Sequence, residues 1–245
     1  MPPDRNDLDA LAAPGPFFAL RGGPAPPDAV PLASLYAGGL DPLRARLETV
    51  AARLGTGESR VAASLAHQGL ASRLWSVGLA SAVLLDGVLA LDPAALWWSP
   101  DGVTPEDLSL CGPHPPRLLP ARDIAGTAEQ IWTEVHQAHL VPLAAATREL
   151  APVAPGLLRG NAASALAGAA RQLLRWARAD ASPEVAASAG RLAEALLHRP
   201  GVREEWEWRH GAVRRRSCCL YYRVPGGGLC GDCVFDRRPA APSGA

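Results

Sequence analysis

The 245-residue chain contains no lysine: all 24 of its basic residues are arginine, and 24 Asp and Glu residues balance them. The formal net charge is +0, which excludes a nucleic-acid binder held by bulk positive charge. A clean membrane-spanning run is also lacking. The best stretch, Leu70 to Leu91, is interrupted by Arg73 and Asp86, whereas a spanning helix wants about 20 mostly apolar residues. The opening residues carry Asp and Pro rather than the basic start of a secretory signal. The expected location is therefore the cytoplasm. Neither a strand–G-x-G-x-x-G–helix unit nor a G-x-x-x-x-G-K-[ST] loop is read from the chain, so it is expected to hold no flavin or nicotinamide of its own. No repeat of fixed period is read either.

Hydrophobic residues make up 48% of the chain, enough for a sizeable core and against global disorder. The length suits one large domain or a domain with a small module. Residues 1–40 are rich in Pro and Gly and read as a partly ordered arm, with a short packed piece at Phe17-Phe18. Residues 41–205 read as a helical domain. Asp41 as a cap, Pro42 in the first turn and Gly55 past the end frame the first helix. From Glu58 to Asp86 the pattern is helical and apolar almost all round, as at the centre of a bundle. Gly69 and Gly78 are expected to divide it into pieces.

Val88–Leu91 and Leu96–Trp98 read as short strands, and the Pro-rich stretch 99–122 as a loop. Helices follow over 124–150, with a kink or end at Pro142. A loop over 152–159 leads to a helix capped by Asn161, and another helix starts at Ser182-Pro183. Trp206 and Trp208 then alternate with charged residues at strand period, with a turn at His210-Gly211. Residues 206–238 read as a C-terminal module and 239–245 as a disordered tail. The expected fold class is mainly α: a helical bundle with a few short strands and a small C-terminal module.

Four of the five cysteines lie in that module, at Cys218, Cys219, Cys230 and Cys233. Their pattern is C-C-x10-C-x2-C. In a reducing compartment such a cluster points to metal or redox chemistry rather than disulfides. Cys-x-x-Cys with a glycine between is a chelating turn. The adjacent pair is less usual, because neighbouring side chains on a strand point to opposite faces. For both thiols to reach one centre, the backbone at 218 and 219 must leave strand geometry. Spacing alone leaves open a structural zinc site, an iron–sulfur cluster and, in an oxidising setting, a disulfide pair. The fifth cysteine, Cys111, sits alone in the Pro-rich stretch and reads as incidental.

The run Arg215-Arg216-Ser217-Cys218-Cys219-Leu220-Tyr221-Tyr222-Arg223, continuing at Gly226-Gly227-Gly228-Leu229-Cys230-Gly231-Asp232-Cys233, resembles the C-terminal signature of the FhuF-like ferric siderophore reductases. A second stretch, Val135-His136-Gln137-Ala138-His139-Leu140-Val141-Pro142-Leu143 with Gly160-Asn161-Ala162-Ala163-Ser164-Ala165-Leu166, is similar to that family's helical portion, itself related to a domain of siderophore synthetases. The likeness covers roughly residues 60–235 and departs at Arg159, where an aromatic residue is expected.

The resemblance implies a [2Fe-2S] cluster on Cys218, Cys219, Cys230 and Cys233, a ferric siderophore as substrate, and an oxidoreductase with no catalytic residue beyond the cluster. An external donor, such as a ferredoxin or a flavin-containing reductase, would supply the electron. The expectation includes no nucleic-acid partner and leaves room for a peripheral contact with a membrane transporter. Among substrate-binding candidates, His136 and His139 are three apart in a helical stretch, Arg159 and Asn161 stand at an expected helix start, and Arg216 and Arg223 flank the cysteines. Arg73 and His67, both within the apolar run, are expected to be buried, with a partner for Arg73. Trp206 and Trp208 are expected to wall the cysteines from water.

Overall fold

The computed structural model describes residues 3–112, 116–180, 182–209 and 212–239. The turn expected at His210-Gly211 and the tail from residue 240 lie outside them. Among the described residues no helix is long and apolar enough to cross a membrane.

Two long helices carry the body. In α4 (Ser59–Leu84) and α7 (Pro155–Asp180) the apolar and small residues recur on so much of the surface that each is largely buried. They pack on each other, with α3 (Asp41–Leu54) against α4 and α8 (Pro183–Leu197) against α7. The helix α4 is continuous, so Gly69 and Gly78 do not divide it. A mid-helix glycine costs only about 1 kcal/mol, less than breaking the backbone ladder of a buried helix. Gly78 instead lets a neighbour approach: a Cβ there would stand 2.7 Å from Val135 Cγ2.

Helix ends follow local chemistry. Gly55 closes α3 in the left-handed conformation, φ 60°. Ser182 accepts from Val185 N–H at the start of α8. Asp41 does not cap α3; it is the first helical residue, and Leu40 precedes it without a side-chain bond. Asn161 is no cap either, because α7 begins at Pro155 and Asn161 falls in its second turn.

The N-terminal segment is no loose arm. A capping box between Asp4 and Asp7 starts α1 (Arg5–Leu11). Strands β1 (Arg21–Gly22) and β2 (Val30–Pro31) lead to α2 (Leu32–Tyr36). Leu8, Leu11, Phe18, Leu20, Leu32 and Leu35 all enter the core, while Phe17 is exposed. Arg73 of α4 is the clamp. Its guanidinium, 1% exposed, pairs with Asp107 at 2.9 Å and donates to the carbonyls of Pro16, Phe17, Ala19 and Pro105. A buried cation with every donor met stabilises, where an unpaired one would be costly.

The strands expected near 88 and 96 are present as β3 (Gly87–Leu89) and β4 (Leu96–Trp98). The Pro-rich stretch, read as loop, contributes β5 (Leu108–Leu110) and β6 (Leu118–Pro120). A four-stranded sheet runs β1-β5-β4-β2, parallel only between β1 and β5, and β3 pairs antiparallel with β6. Strands of three residues give little periodicity to read.

Between α5 (Ile124–Ile131) and α6 (Val141–Leu150) the chain forms a π-helix, Trp132–Leu140. Pro142 has no N–H for the carbonyl of Ala138, and Val141 N–H reaches back to His136 O. Pro142 therefore neither kinks nor ends the helix; it sits in the first turn of α6 after a widened turn.

Candidate metal centre

The C-terminal module is a hairpin followed by a cysteine-bearing loop. Strands β7 (Trp206–Arg209) and β8 (Ala212–Arg215) pair antiparallel, with Trp206 opposite Arg215. Strand geometry ends at Arg215. Cys218 and Cys219 follow in irregular backbone, and Leu220 turns left-handed at φ 68° into a short 3₁₀ turn, Tyr221–Arg223. This departure from the pleat frees two adjacent side chains to face one side. Gly226, φ 69°, and Gly227 bring the chain back; a Cβ on Gly227 would lie 2.6 Å from Tyr221 O. The second pair closes its turn with Cys233 N–H on Cys230 O at 3.1 Å.

All four thiols are free and act on one another. A bond from Cys230 pulls the Cys219 thiol down to about 6, and Arg215 acts in the same direction; its partner Cys230 is pushed up by the same bond and by burial. Burial raises Cys218, which also feels Cys219 and Cys233. Backbone N–H groups point at three of the sulfurs: Leu220 to Cys218 at 3.3 Å, Phe235 to Cys233 at 3.5 Å, and Tyr221 to Cys219. Such donors favour a thiolate over a thiol, as metal-bound sulfur requires. Among the described residues no three Cys, His, Asp or Glu side chains are grouped closely enough for a single ion. The fit therefore rests on the donor set and its hydrogen bonds.

A buried polar seam fixes this loop to the two long helices. Ser64 of α4 donates to Cys219 O at 2.7 Å. Asn161 of α7 donates to Ser64 O at 2.8 Å and to its hydroxyl at 3.0 Å. Arg215 donates to Asn161 Oδ1 and to Ser217 O, each at 2.6 Å, and more weakly to Gln68 at 3.5 Å. Arg215 is 2% exposed and has no carboxylate partner within ion-pair distance among the described residues. Gly160 makes the approach possible: a Cβ there would stand 1.9 Å from Ser217 Oγ and 3.2 Å from Ser217 Cβ.

The substrate candidates are scattered. His139 is buried, its Nε2 2.6 Å from Leu91 O and its Nδ1 3.0 Å from the Tyr36 hydroxyl. Its ring is held near 4 by burial, hence neutral, and it offers nothing to a ligand. His136 stacks on Trp132 at 3.7 Å between centroids. The widened π turn separates the two histidines instead of aligning them. Asn161 is wholly buried in the seam.

The arginines are spoken for. Arg159 pairs with Glu205 at 2.7 Å, Arg216 stands 3.8 Å from Glu207, and Arg223 grips Glu58 at 2.8 Å. These three arginines thus act as ties within the fold rather than as free substrate contacts. Trp208 is 69% exposed and Trp206 N–H bonds Leu197 O, so neither walls the cysteines. His67 is buried on α4, with neither ring nitrogen bonded among the described residues. Cys111 is buried and unbonded, and its thiol is raised by burial.

Ser64 and Gln68 were not singled out from sequence, and Gly160 entered only within the stretch that carries the resemblance. Arg215 was legible as a basic residue beside the cysteines, but not as a buried one. The string Gly226 to Gly231 has the spacing G-x-G-x-x-G, but no helix follows it, so it is not a dinucleotide loop.

A helical body carries a loop of four free, interacting thiols, a donor set of the kind that holds a thiolate metal centre. Residues 215–235 match the FhuF 2Fe-2S C-terminal domain. The match covers the C-terminal segment, and the cofactor it implies is a [2Fe-2S] cluster. The donor set fits that group, and Cys218, Cys219, Cys230 and Cys233 are the residues that would hold it. No curated protein matches the chain.

Proposed function

We propose that this protein reduces the ferric iron of a siderophore complex, and that Cys218, Cys219, Cys230 and Cys233 hold the cluster it uses. The observation that carries the reading is the match of residues 215–235 to the FhuF 2Fe-2S C-terminal domain, which spans all four thiols. When bound, a [2Fe-2S] cluster supplies a one-electron couple. One electron is what the substrate needs: ferric iron is a hard cation suited to hard siderophore oxygens, and ferrous iron, being softer, is released by them. An external one-electron donor, a ferredoxin or a flavin-containing reductase, provides the electron in the cytoplasm.

The chain's own contribution is positioning. The seam through Arg215, Asn161 and Ser64 holds the cysteine loop on rigid helices, and the N–H groups of Leu220, Tyr221 and Phe235 stabilise the thiolates. Cys219 and Cys233 are buried, whereas Cys218 and Cys230 reach partial exposure, which leaves an edge of the loop open to a substrate.

The test is anaerobic purification with iron and sulfide analysis, followed by stopped-flow mixing of the reduced protein with ferric hydroxamate, catecholate and citrate complexes. The expected result is two irons and two sulfides per chain, with saturable oxidation by at least one complex. One zinc per chain, or no oxidation by any complex, would refute the proposal.

A further inference from the structure

Beside the cysteine loop lies a cleft of about 580 Å³ lined by α4, α7 and the segment Pro14–Phe18. Its size is that of a small-molecule site. Cys230, Gly231 and Asp232 form one end, so the half-exposed Cys230 is part of the wall. Hydroxyl and amide groups of Ser72, Ser164, Gln68 and Gln172 line the helical sides. Phe17, exposed and held in place by the Arg73 clamp through its carbonyl, supplies an aromatic edge. Arg171 and Arg175, one turn apart on α7, stand exposed in the same wall. Arg175 donates to Gln172, and neither arginine meets a carboxylate within ion-pair distance among the described residues. Asp232 is the one acid among the lining residues, and it is buried.

We infer that this cleft is the docking site for the ferric complex, and that it selects oxygen-rich chelates of net negative charge. The inference rests on the reductase reading for its substrate but not for its location. Three features converge on it. The cleft touches a cysteine of the loop, so a chelate seated there lies against the edge of the cofactor-bearing turn. The Ser164 hydroxyl and the second amide hydrogens of Gln68 and Gln172, whose first hydrogens go to Ser164 and Pro14 O, are left for the outer oxygens of a chelate, whose inner oxygens are taken by the metal. Two exposed guanidiniums without a carboxylate partner attract and orient an anionic complex, as the ion-paired Arg159, Arg216 and Arg223 cannot.

Gly168 provides a clean test. It lines the cleft, and a Cβ added there meets nothing within 4 Å. Gly168→Trp therefore fills the cleft without clashing at its root, and removing a mid-helix glycine favours α7. The probes are redox-inert gallium(III) citrate and gallium(III) tris-catecholate, with neutral gallium(III) tris-acetohydroxamate as contrast. Equilibrium binding to the oxidised holoprotein is read by tryptophan fluorescence at two salt concentrations.

The wild type is expected to bind an anionic gallium chelate more tightly than the neutral one, and less tightly as salt rises. Gly168→Trp and the double variant R171E/R175E are expected to weaken that binding by about 10-fold or more. Reversal at Arg191, exposed on α8 and outside the cleft, leaves it unchanged. The visible spectrum of the cluster stays the same throughout. Equal binding by both variants and wild type, or no binding of any gallium chelate by wild type, overturns the cleft. A preference for the neutral chelate overturns the charge selection. Oxidation of the reduced wild type by ferric complexes is read separately, so loss of the cleft and loss of the reductase reading are told apart.

Discussion

Removing Arg215 should make the cluster harder to reduce while loosening the loop that carries it. A buried cation is stable only with a counter-charge or a full set of hydrogen bonds. Arg215 is 2% exposed, has no carboxylate within ion-pair distance among the described residues, and bonds only neutral oxygens. The anionic partner available to it is the thiolate set, on which it already acts at Cys218 and Cys219. A unit charge acting across roughly 8 Å at an effective dielectric of 20 is worth about 2 kcal/mol, or about 90 mV for one electron.

Arg215→Met is therefore expected to lower the midpoint potential by about 90 mV. It should also cost roughly 3–5 kcal/mol of stability, because Asn161 Oδ1 and Ser217 O lose a charged donor. Arg215→Lys keeps the charge and should move the potential by less than half as much. Asn161→Ala removes the 2.6 Å acceptor but not the charge, and should loosen the loop with the potential held. The assay is a potentiometric titration followed by visible absorbance and electron paramagnetic resonance. A potential for Arg215→Met within roughly 20 mV of wild type, or above it, would show that Arg215 is not the counter-charge.

Gly160→Val places branched atoms where Ser217 stands, so the loop should lift from α7. The expected outcome is reduced cluster occupancy and a lower unfolding midpoint, whereas Gly168→Ala on the same helix should be neutral or stabilising by about 0.5–1 kcal/mol. Asp107→Asn leaves Arg73 without its only carboxylate and should cost about 3 kcal/mol or more, with limited proteolysis cutting first within residues 12–31. Cys219→Ser should abolish cluster incorporation, while Cys111→Ser should leave iron content and spectrum unchanged. His67, His136 and His139 are all held near 4 by burial. Below about 6.5 the unfolded chain takes up protons that the folded chain refuses. Their stabilising effect is therefore full above that pH and is lost as the pH falls towards 4, at up to about 4 kcal/mol per pH unit for the three. Urea unfolding from pH 7 to 4.5 checks this, and His67→Leu should cut the slope by about a third; an unchanged slope would refute the assignment.

What could be read in the sequence, and what could not, divides by the range of the interactions. The helices α3 and α8 were legible because their stop and start signals, Gly55 and Ser182, act through bonds to residues three or four away. The continuity of α4 was not, because Gly78 is explained by Val135, which lies on another helix. Strands β5 and β6 were invisible within a Pro-rich stretch, since three-residue strands are defined by partners such as Leu96–Trp98 and Gly87–Leu89 and not by their own pattern.

The same division runs through the site. Cysteine spacing made the four thiols legible, because ligand chemistry is local to the loop. Arg159, Arg216 and Arg223 read as free substrate contacts only while Glu205, Glu207 and Glu58 were distant in sequence; once folded, each is paired. Arg215 differs from Arg214 in strand register, which turns it inward opposite Trp206, while Arg216 lies past the end of β8 and stays exposed. Arg215 is buried without a carboxylate partner, which is why its charge is expected to act on the thiols, whereas Arg171 and Arg175, also outside the ion pairs, stand exposed at the cleft.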